Sequence, residues 1–266
     1  MKIGFIGTGN MGGALARAAA KGGHTLLLAN RTPAKAAALA KELGGTVCPN
    51  AEAAEKAELL FLGVKPQGLP GLAGELAPVL QARKGNAPVV VSMATAVTLR
   101  ELDAMLGGGL PLIRIMPNTP AAVGAGTILY AAQNVTDAQL SAFRAALAQA
   151  GLLLPLPETQ IDAASAISGC GPAFCFQFAD ALALGGVRAG LSYPDACRLA
   201  AQTMLGAAEM LLQGREAPDV LKMRVCSPAG TTIEGVLALE QGGFSYTVQN
   251  AVTAAYRRTV DMTKKG

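Results

Sequence analysis

Gly7-Thr8-Gly9-Asn10-Met11-Gly12 lies between a short apolar run over 2–6 and an alanine-rich stretch over 14–20. Strand, glycine loop and helix, in that order, is the arrangement that wraps the pyrophosphate of a dinucleotide. Gly7 allows the tight turn, Gly9 lets backbone approach the phosphates, and Gly12 lets the helix pack closely on the strand. The helix start then offers unpaired N–H groups and the positive end of its dipole to an anion. Ile6, Gly7, Thr8, Gly9, Asn10, Met11 and Gly12 are therefore expected to bind the cofactor; the alternative is a glycine-rich turn that holds nothing.

A second apolar run, 25–29, ends at Asn30-Arg31, where a site for NAD would carry Asp or Glu to hold the ribose hydroxyls. No carboxylate is available there. A guanidinium grips a 2′-phosphate through two charge-assisted bonds, whereas a carboxylate repels it. The expected cofactor is NADPH, read by Asn30 and Arg31, with NADH possible but less favoured. An Arg31 that is merely solvated ahead of a Thr32-Pro33 helix start is the competing reading.

The elements that must position these groups alternate through the first half of the chain. Apolar runs fall at 2–6, 25–29, 59–62, 89–91 and 110–115, with helical patterns over 11–21, 33–42 and 99–106. Two more runs, 127–130 and 152–154, flank a helix capped by Thr136 or Asp137. Such alternation implies an α/β, doubly wound (Rossmann-like) parallel sheet over 1–157. From Glu158 strand signals stop, and 160–167, 172–189, 194–213, 217–224, 231–241 and 244–263 read as helices separated by glycines. A C-terminal all-helical domain over 158–266 is the expectation.

Composition narrows the class. Of 266 residues, 51% are hydrophobic and only 15% charged, where a soluble domain has about a quarter charged. The longest uncharged stretch, 163–179, is broken by Ser168-Gly169-Cys170-Gly171-Pro172, which argues against a membrane span. The glycine-interrupted start is no signal peptide. The helix over 172–189 is apolar nearly all round and must be covered on every side. A helical domain this small cannot enclose it alone, so an interleaved homodimer is inferred. A net charge of +4, dispersed basic residues and 4% aromatics speak against nucleic acid. Five cysteines with no CxxC and no Cys/His cluster suggest neither disulfides nor a metal site, but free thiols in a reducing cytoplasm.

Four further segments have residue choices that packing does not demand: Val64-Lys65-Pro66, Arg114 to Pro120, Ser168 to Phe174, and Val225 to Gly235. With the glycine loop, in order and with compatible spacing along the whole chain, they resemble the pyrroline-5-carboxylate reductase family. The resemblance implies reduction of 1-pyrroline-5-carboxylate to L-proline, the last step of proline biosynthesis, by a homodimer that can join a larger ring of dimers. Three positions depart from the family pattern. Ala229 stands where the last signature usually has glycine, Ala94-Thr95-Ala96 replaces an alanine-alanine-glycine, and Arg224 stands where Asn or Gln is common. A methyl group at Ala229 restricts positive φ, so the loop there is expected to differ slightly.

Alcohol dehydrogenation needs a positioned base, and the single histidine, His24, lies at the wrong edge of the sheet for one. A cyclic imine is less demanding, since it is protonated near neutrality and asks chiefly for orientation, a carboxylate anchor and a hydroxyl relay. Ser227 to Thr232 offers hydroxyls and N–H groups at a helix start, or else simply caps that helix. By resemblance, Ser227, Ala229, Gly230, Thr231 and Thr232 bind the substrate carboxylate, Thr232 lies near the imine nitrogen, and Ser227, Thr231 and Thr232 are the catalytic candidates. The same resemblance places Asn50, Val64, Lys65, Pro66, Ala94 and Asn118 against the cofactor; for Asn50, capping the next helix is an alternative. Competing functions are another imine reductase, a β-hydroxyacid dehydrogenase, or a sensor that binds NADP(H) without turnover. A dehydrogenase of that kind would want a lysine on the helix over 172–189, whose one basic residue is Arg188 at its far end.

Overall fold

The computed structural model describes residues 1–83 and 85–263. Strand β1 (Lys2–Ile6) leads into α1 (Asn10–Lys21), β2 (Thr25–Ala29) and α2 (Pro33–Leu43). A two-residue β3 (Thr46–Val47), α3 (Asn50–Lys56), β4 (Leu59–Leu62), α4 (Leu69–Ala82), β5 (Val89–Ser92) and α5 (Leu99–Met105) follow. Then come β6 (Leu112–Pro117), β7 (Gly126–Gln133), α6 (Asp137–Leu147), β8 (Gly151–Pro155) and α7 (Glu158–Ser168). Prolines hide α4 from the sequence: Pro70 sits in its first turn and Pro78 inside it, which blurs the helical period.

The strands form one sheet in the order β3-β2-β1-β4-β5-β6-β7-β8. Strands β4 and β5 are buried along their whole length, as expected where helices cover both faces. One face carries Leu15, Leu39 and Phe143 from α1, α2 and α6; the other carries Ala53, Leu72 and Leu102 from α3, α4 and α5. Phe5 and Phe61 stack on neighbouring strands with ring centroids 4.6 Å apart. Every neighbouring pair is parallel except β6 and β7, which run antiparallel. The link between those two is a short 3₁₀ turn, Thr119–Val123, ended by Gly124 at φ +79°. It is too short for the crossover that a parallel pair needs, so the chain doubles back.

Helix α7 belongs to this first compact unit, which comprises residues 1–169 together with the segment from Tyr256. Packing therefore draws the line at Gly169 rather than between 157 and 158. The physical reason is a set of bonds from β6. Arg114, buried to 3% exposure, sets its guanidinium against Glu158 at 3.4 Å and Asp162 at 2.5 Å. Glu158 Oε1 also accepts the N–H of Leu99 at the head of α5, at 2.7 Å. Thr98 and Glu101 cap that helix reciprocally, and the Thr98 N–H holds the Glu101 carboxyl below its ordinary range.

The second unit, 170–255, holds α8 (Gly171–Arg188), α9 (Tyr193–Leu212), α10 (Pro218–Val225), α11 (Thr231–Gln241) and most of α12 (Phe244–Thr263). The hydroxyl of Tyr193 on α9 donates to Asp180 on α8 at 2.7 Å, and this bond pushes the phenol pKa well up. Among the described residues of this unit only Ala183, Ala196 and Ala200 are buried. Phe176 is 70% exposed and Leu212 80%. One chain supplies these helices with almost no core of their own. Residues 264–266 of the expected helical span lie outside the described ones. Among the described residues one stretch, Glu158–Arg188, is long and apolar enough to cross a membrane, but Gly169 and Cys170 separate its two helices.

Removing the Arg114 side chain leaves two partly buried carboxylates without their counter-ion. Arg114→Ala is expected to lower the unfolding free energy by about 3 kcal/mol, near the low end for a broken buried pair because both carboxylates keep some water. Denaturant unfolding measures it, and a loss within error of zero would show the cluster to be inert.

Candidate cofactor and substrate site

The glycine loop is built by backbone pressing on backbone. Gly7 has φ +98°, and a Cβ there would stand 2.5 Å from the carbonyl oxygen of Gly63. A Cβ on Gly12 would strike the carbonyl of Gly7, and one on Gly63 would strike the same oxygen. Gly9 is different, since a Cβ there would meet nothing within 4 Å. Two of the three loop glycines are thus required by the fold, and the third keeps open space above the loop.

That space lies at the start of α1, where no side chain caps the helix and no acidic residue occupies the first turn. The hydroxyl of Thr8 is buried without a hydrogen-bond partner among the described residues. An uncapped helix end, an unpartnered buried hydroxyl and a glycine facing free space fit the pyrophosphate of a dinucleotide. Asn30 at the end of β2 accepts the Thr8 N–H at 3.1 Å and donates to the Thr32 carbonyl at 3.0 Å. It therefore ties the loop to the turn that carries Arg31, whose side chain is exposed. No carboxylate lies between Asn30 and Lys41.

The remaining residues of this half sit at the carboxyl ends of β4, β5 and β6, where ligands bind in such sheets. Val64 and Lys65 follow β4, and Pro66 opens a 3₁₀ turn with Lys65 exposed. Ala94 is buried beyond β5, its N–H donating to Ser92 Oγ at 3.3 Å. Ala96 takes φ +61°, so the position where the family pattern has glycine keeps the left-handed backbone. Asn118 follows β6 and is buried. Asn50 does not cap α3, whose N-cap is Pro49; its amide donates instead to Glu75 of α4 at 3.1 Å. His24 directly precedes β2, at the opposite end of the strands.

The second unit carries the other candidates. Gly230 donates its N–H to the Ser227 carbonyl at 3.0 Å, closing a turn before α11. A Cβ on Gly230 would strike Ser227 Oγ, so any larger residue there would turn that hydroxyl away from its present position. Ala229 adopts φ +55°, so its methyl is carried in a left-handed conformation. That strain costs about 1–2 kcal/mol relative to a residue without Cβ. Helix α11 begins with no side-chain cap, so the capping reading of Ser227 and Thr231 has no bond behind it. Thr231 is exposed and Thr232 half-buried on the first turn. Arg224 on α10 is paired with Glu216 at 2.5 Å.

The chain is similar to known proteins along most of its length. A family model described as pyrroline-5-carboxylate reductase dimerisation matches residues 158–262. One described as NADP oxidoreductase, coenzyme F420-dependent, matches residues 2–96. The pyrroline-5-carboxylate reductase of Synechocystis sp. is 42% identical over 220 residues, 81% of this chain and 79% of that one. Pyrroline-5-carboxylate reductase 2 of Bos taurus is 38% identical over 276 residues, 98% of this chain and 84% of that one. The crystal structure of Plasmodium falciparum pyrroline carboxylate reductase with NADP bound matches at a TM-score of 0.86 and 30% identity, over 99% of this chain and 98% of that one. An imine reductase of Streptomyces aurantiacus, 20% identical with a TM-score of 0.57 over 100% of this chain and 94% of that one, shares the fold alone.

The glycines separate stability from binding. Gly63→Ala is expected to cost roughly 2–4 kcal/mol, because a methyl is driven into backbone that cannot swing away. Gly9→Ala should leave the thermal midpoint near that of the wild type yet weaken NADPH binding by at least about tenfold. Calorimetry and fluorescence titration of both variants measure this; equal effects of the two would refute the division.

Proposed function

The chain belongs to the pyrroline-5-carboxylate reductase family, and from that premise we propose that it reduces 1-pyrroline-5-carboxylate to L-proline with NADPH. When bound, the cofactor supplies a hydride from nicotinamide C4 to the imine carbon. Residues Ile6 to Gly12 take the pyrophosphate on the uncapped start of α1, with the Thr8 hydroxyl free to donate. Arg31 reads the 2′-phosphate from the turn that Asn30 holds, and Asn30 stays neutral beside that anion. Lys65 and Pro66, Ala94 and Asn118 shape the nicotinamide side at the strand ends, and Asn50 serves the adenosine side.

The Ser227–Thr232 loop holds the substrate carboxylate. What supports this is a turn closed on Gly230, leading into a helix whose first N–H groups no side chain satisfies. That single arrangement carries the reading, because a helix needing only a cap would be served by one Ser or Thr. Thr232, on the first turn, donates or relays a proton to the ring nitrogen. Imine reduction needs no further base, which suits a chain whose one histidine lies away from the strand ends. Arg188 is the one basic residue of α8 and sits in its last turn, so nothing on that helix offers the lysine a β-hydroxyacid dehydrogenase would use.

Homo-oligomerisation through the helical domain covers the apolar side chains that one chain leaves bare. We read the assembly as an interleaved dimer able to build a ring of dimers, working in the cytoplasm with no membrane or nucleic-acid partner. By function we divide the chain into residues 1–157 for the cofactor and 158–266 for dimerisation and substrate, although α7 packs with the first unit.

The test is NADPH oxidation with freshly prepared 1-pyrroline-5-carboxylate, with NADH in parallel. Turnover favouring NADPH is expected, and NADPH binding that ignores L-proline with no turnover would instead identify a sensor. Arg31→Ala should weaken NADPH by roughly 10- to 100-fold while sparing NADH; equal losses would remove Arg31 from the phosphate. Thr232→Ala should lower kcat by about 10- to 1000-fold if its hydroxyl relays the proton, whereas an unchanged kcat/KM would take it out of the site.

A further inference from the structure

Asn118 is the residue at which the carboxyl end of β6 is tied to two other elements. Its Oδ1 accepts the N–H of Thr127 in β7 at 2.8 Å, and its Nδ2 donates to the carbonyl of Ser168, the last residue of α7, at 2.8 Å. The side chain is 7% exposed, and each end of the amide is engaged with a backbone group. Asn118 itself has extended backbone and precedes the 3₁₀ turn that reverses the chain. Four residues before it, Arg114 holds Asp162 and Glu158 near the other end of the same helix. Two side chains from one strand and its end thus pin α7 along its length.

We propose that Asn118 is a positioning residue for the hydride-transfer site, acting through the Met116-Pro117 backbone rather than by binding the cofactor. This rests on the function proposed above. Met116 and Pro117 end β6, beside the carboxyl ends of β4 and β5 where the nicotinamide side of the cofactor belongs. On the β5 side the ladder ends at Arg114, so Met116 and Pro117 are held from the β7 side alone, opposite Leu129 and Ile128. The Asn118 amide supplies two further bonds, and so fixes the height of this wall. Hydride transfer is sensitive to such placement, since an error of about 1 Å can cost roughly 100-fold in rate. Cofactor affinity, carried mostly by the phosphates at the glycine loop, is not.

The asymmetry of the amide makes the idea testable. Asn118→Asp keeps an acceptor for the Thr127 N–H but sets a carboxylate oxygen against the Ser168 carbonyl. Protonation restores a donor, so its kcat should recover as pH falls into and below the carboxylate range, opposite to any trend in the wild type. Asn118→Ala should lower kcat by roughly 10- to 100-fold while the NADPH Kd stays within about threefold. Hydrogen exchange at the Thr127 amide, measured on the protein without ligands, should speed up by about tenfold or more in Asn118→Ala. A Kd that rises with kcat unchanged would make Asn118 a cofactor ligand and overturn the proposal. A lower thermal midpoint with unchanged kcat, or unchanged exchange at Thr127, would overturn it as well. Wild-type protein without turnover would sink the proposed reaction, and the exchange measurement would still decide whether the tether exists.

Discussion

The first unit depends on the close approach of three glycines. Gly7, Gly12 and Gly63 bring β1, the start of α1 and the end of β4 so near that no side chain fits between them. Gly7 N–H donates to Ala29 and Gly63 N–H to Ile6, so the same contacts close the ladder at the carboxyl ends of three adjacent strands. Everything that holds a dinucleotide follows from this. With α1 seated so low against the sheet, its uncapped first turn points where a pyrophosphate lies, and Gly9 remains as the one loop glycine with room above it.

A second constraint runs through α7. Buried charge is costly to place, and Arg114 is accommodated only because two carboxylates from α7 meet it. Those carboxylates also commit the helix to the sheet, together with Asn118 at its far end. Beyond Gly169 the character of the chain changes. Helices that bury three alanines among their described residues obtain their stability by association, which is what a dimerisation domain provides. Two loops of functional interest carry strain: Ala96 and Ala229 hold left-handed backbone where the family pattern has glycine. In each loop the methyl is carried at an energetic cost that the rest of the fold offsets.

Much of this was legible in the sequence, and the parts that were not share a cause. Strands over 2–6, 25–29 and 59–62 stand out because, past the exposed Lys2 and Thr25 that open the first two, every residue is buried and is apolar or glycine. The helix over 69–82 does not, because Pro70 and Pro78 interrupt its period, and β3 is too short to carry any. The antiparallel turn between β6 and β7 is a property of link length, which a list of apolar runs does not weigh. Gly63 escaped notice because a single glycine after a strand has no pattern; its importance appears only when Gly7 is seen across from it. Asn30 was legible as a missing carboxylate, but its bonds to Thr8 and Thr32 are long-range or turn-specific and have no signature in composition.

Asn30 also shows why the neutral amide suits this position better than the carboxylate it replaces. Aspartate would accept the Thr8 N–H equally well, but it has no donor for the Thr32 carbonyl and would place a negative group near the 2′-phosphate proposed for Arg31. One substitution of oxygen by nitrogen therefore keeps the loop tied, orders the turn and removes the repulsion. The same economy appears in the chemistry. An imine that gains its proton from water or a hydroxyl needs a hydride, an anchor for its carboxylate and little else. In the proposed reaction those functions fall mostly to backbone N–H groups, hydroxyls and one guanidinium. A reaction that asks for position more than for acid–base power is well matched to a site whose defining features are glycines and tethered loops.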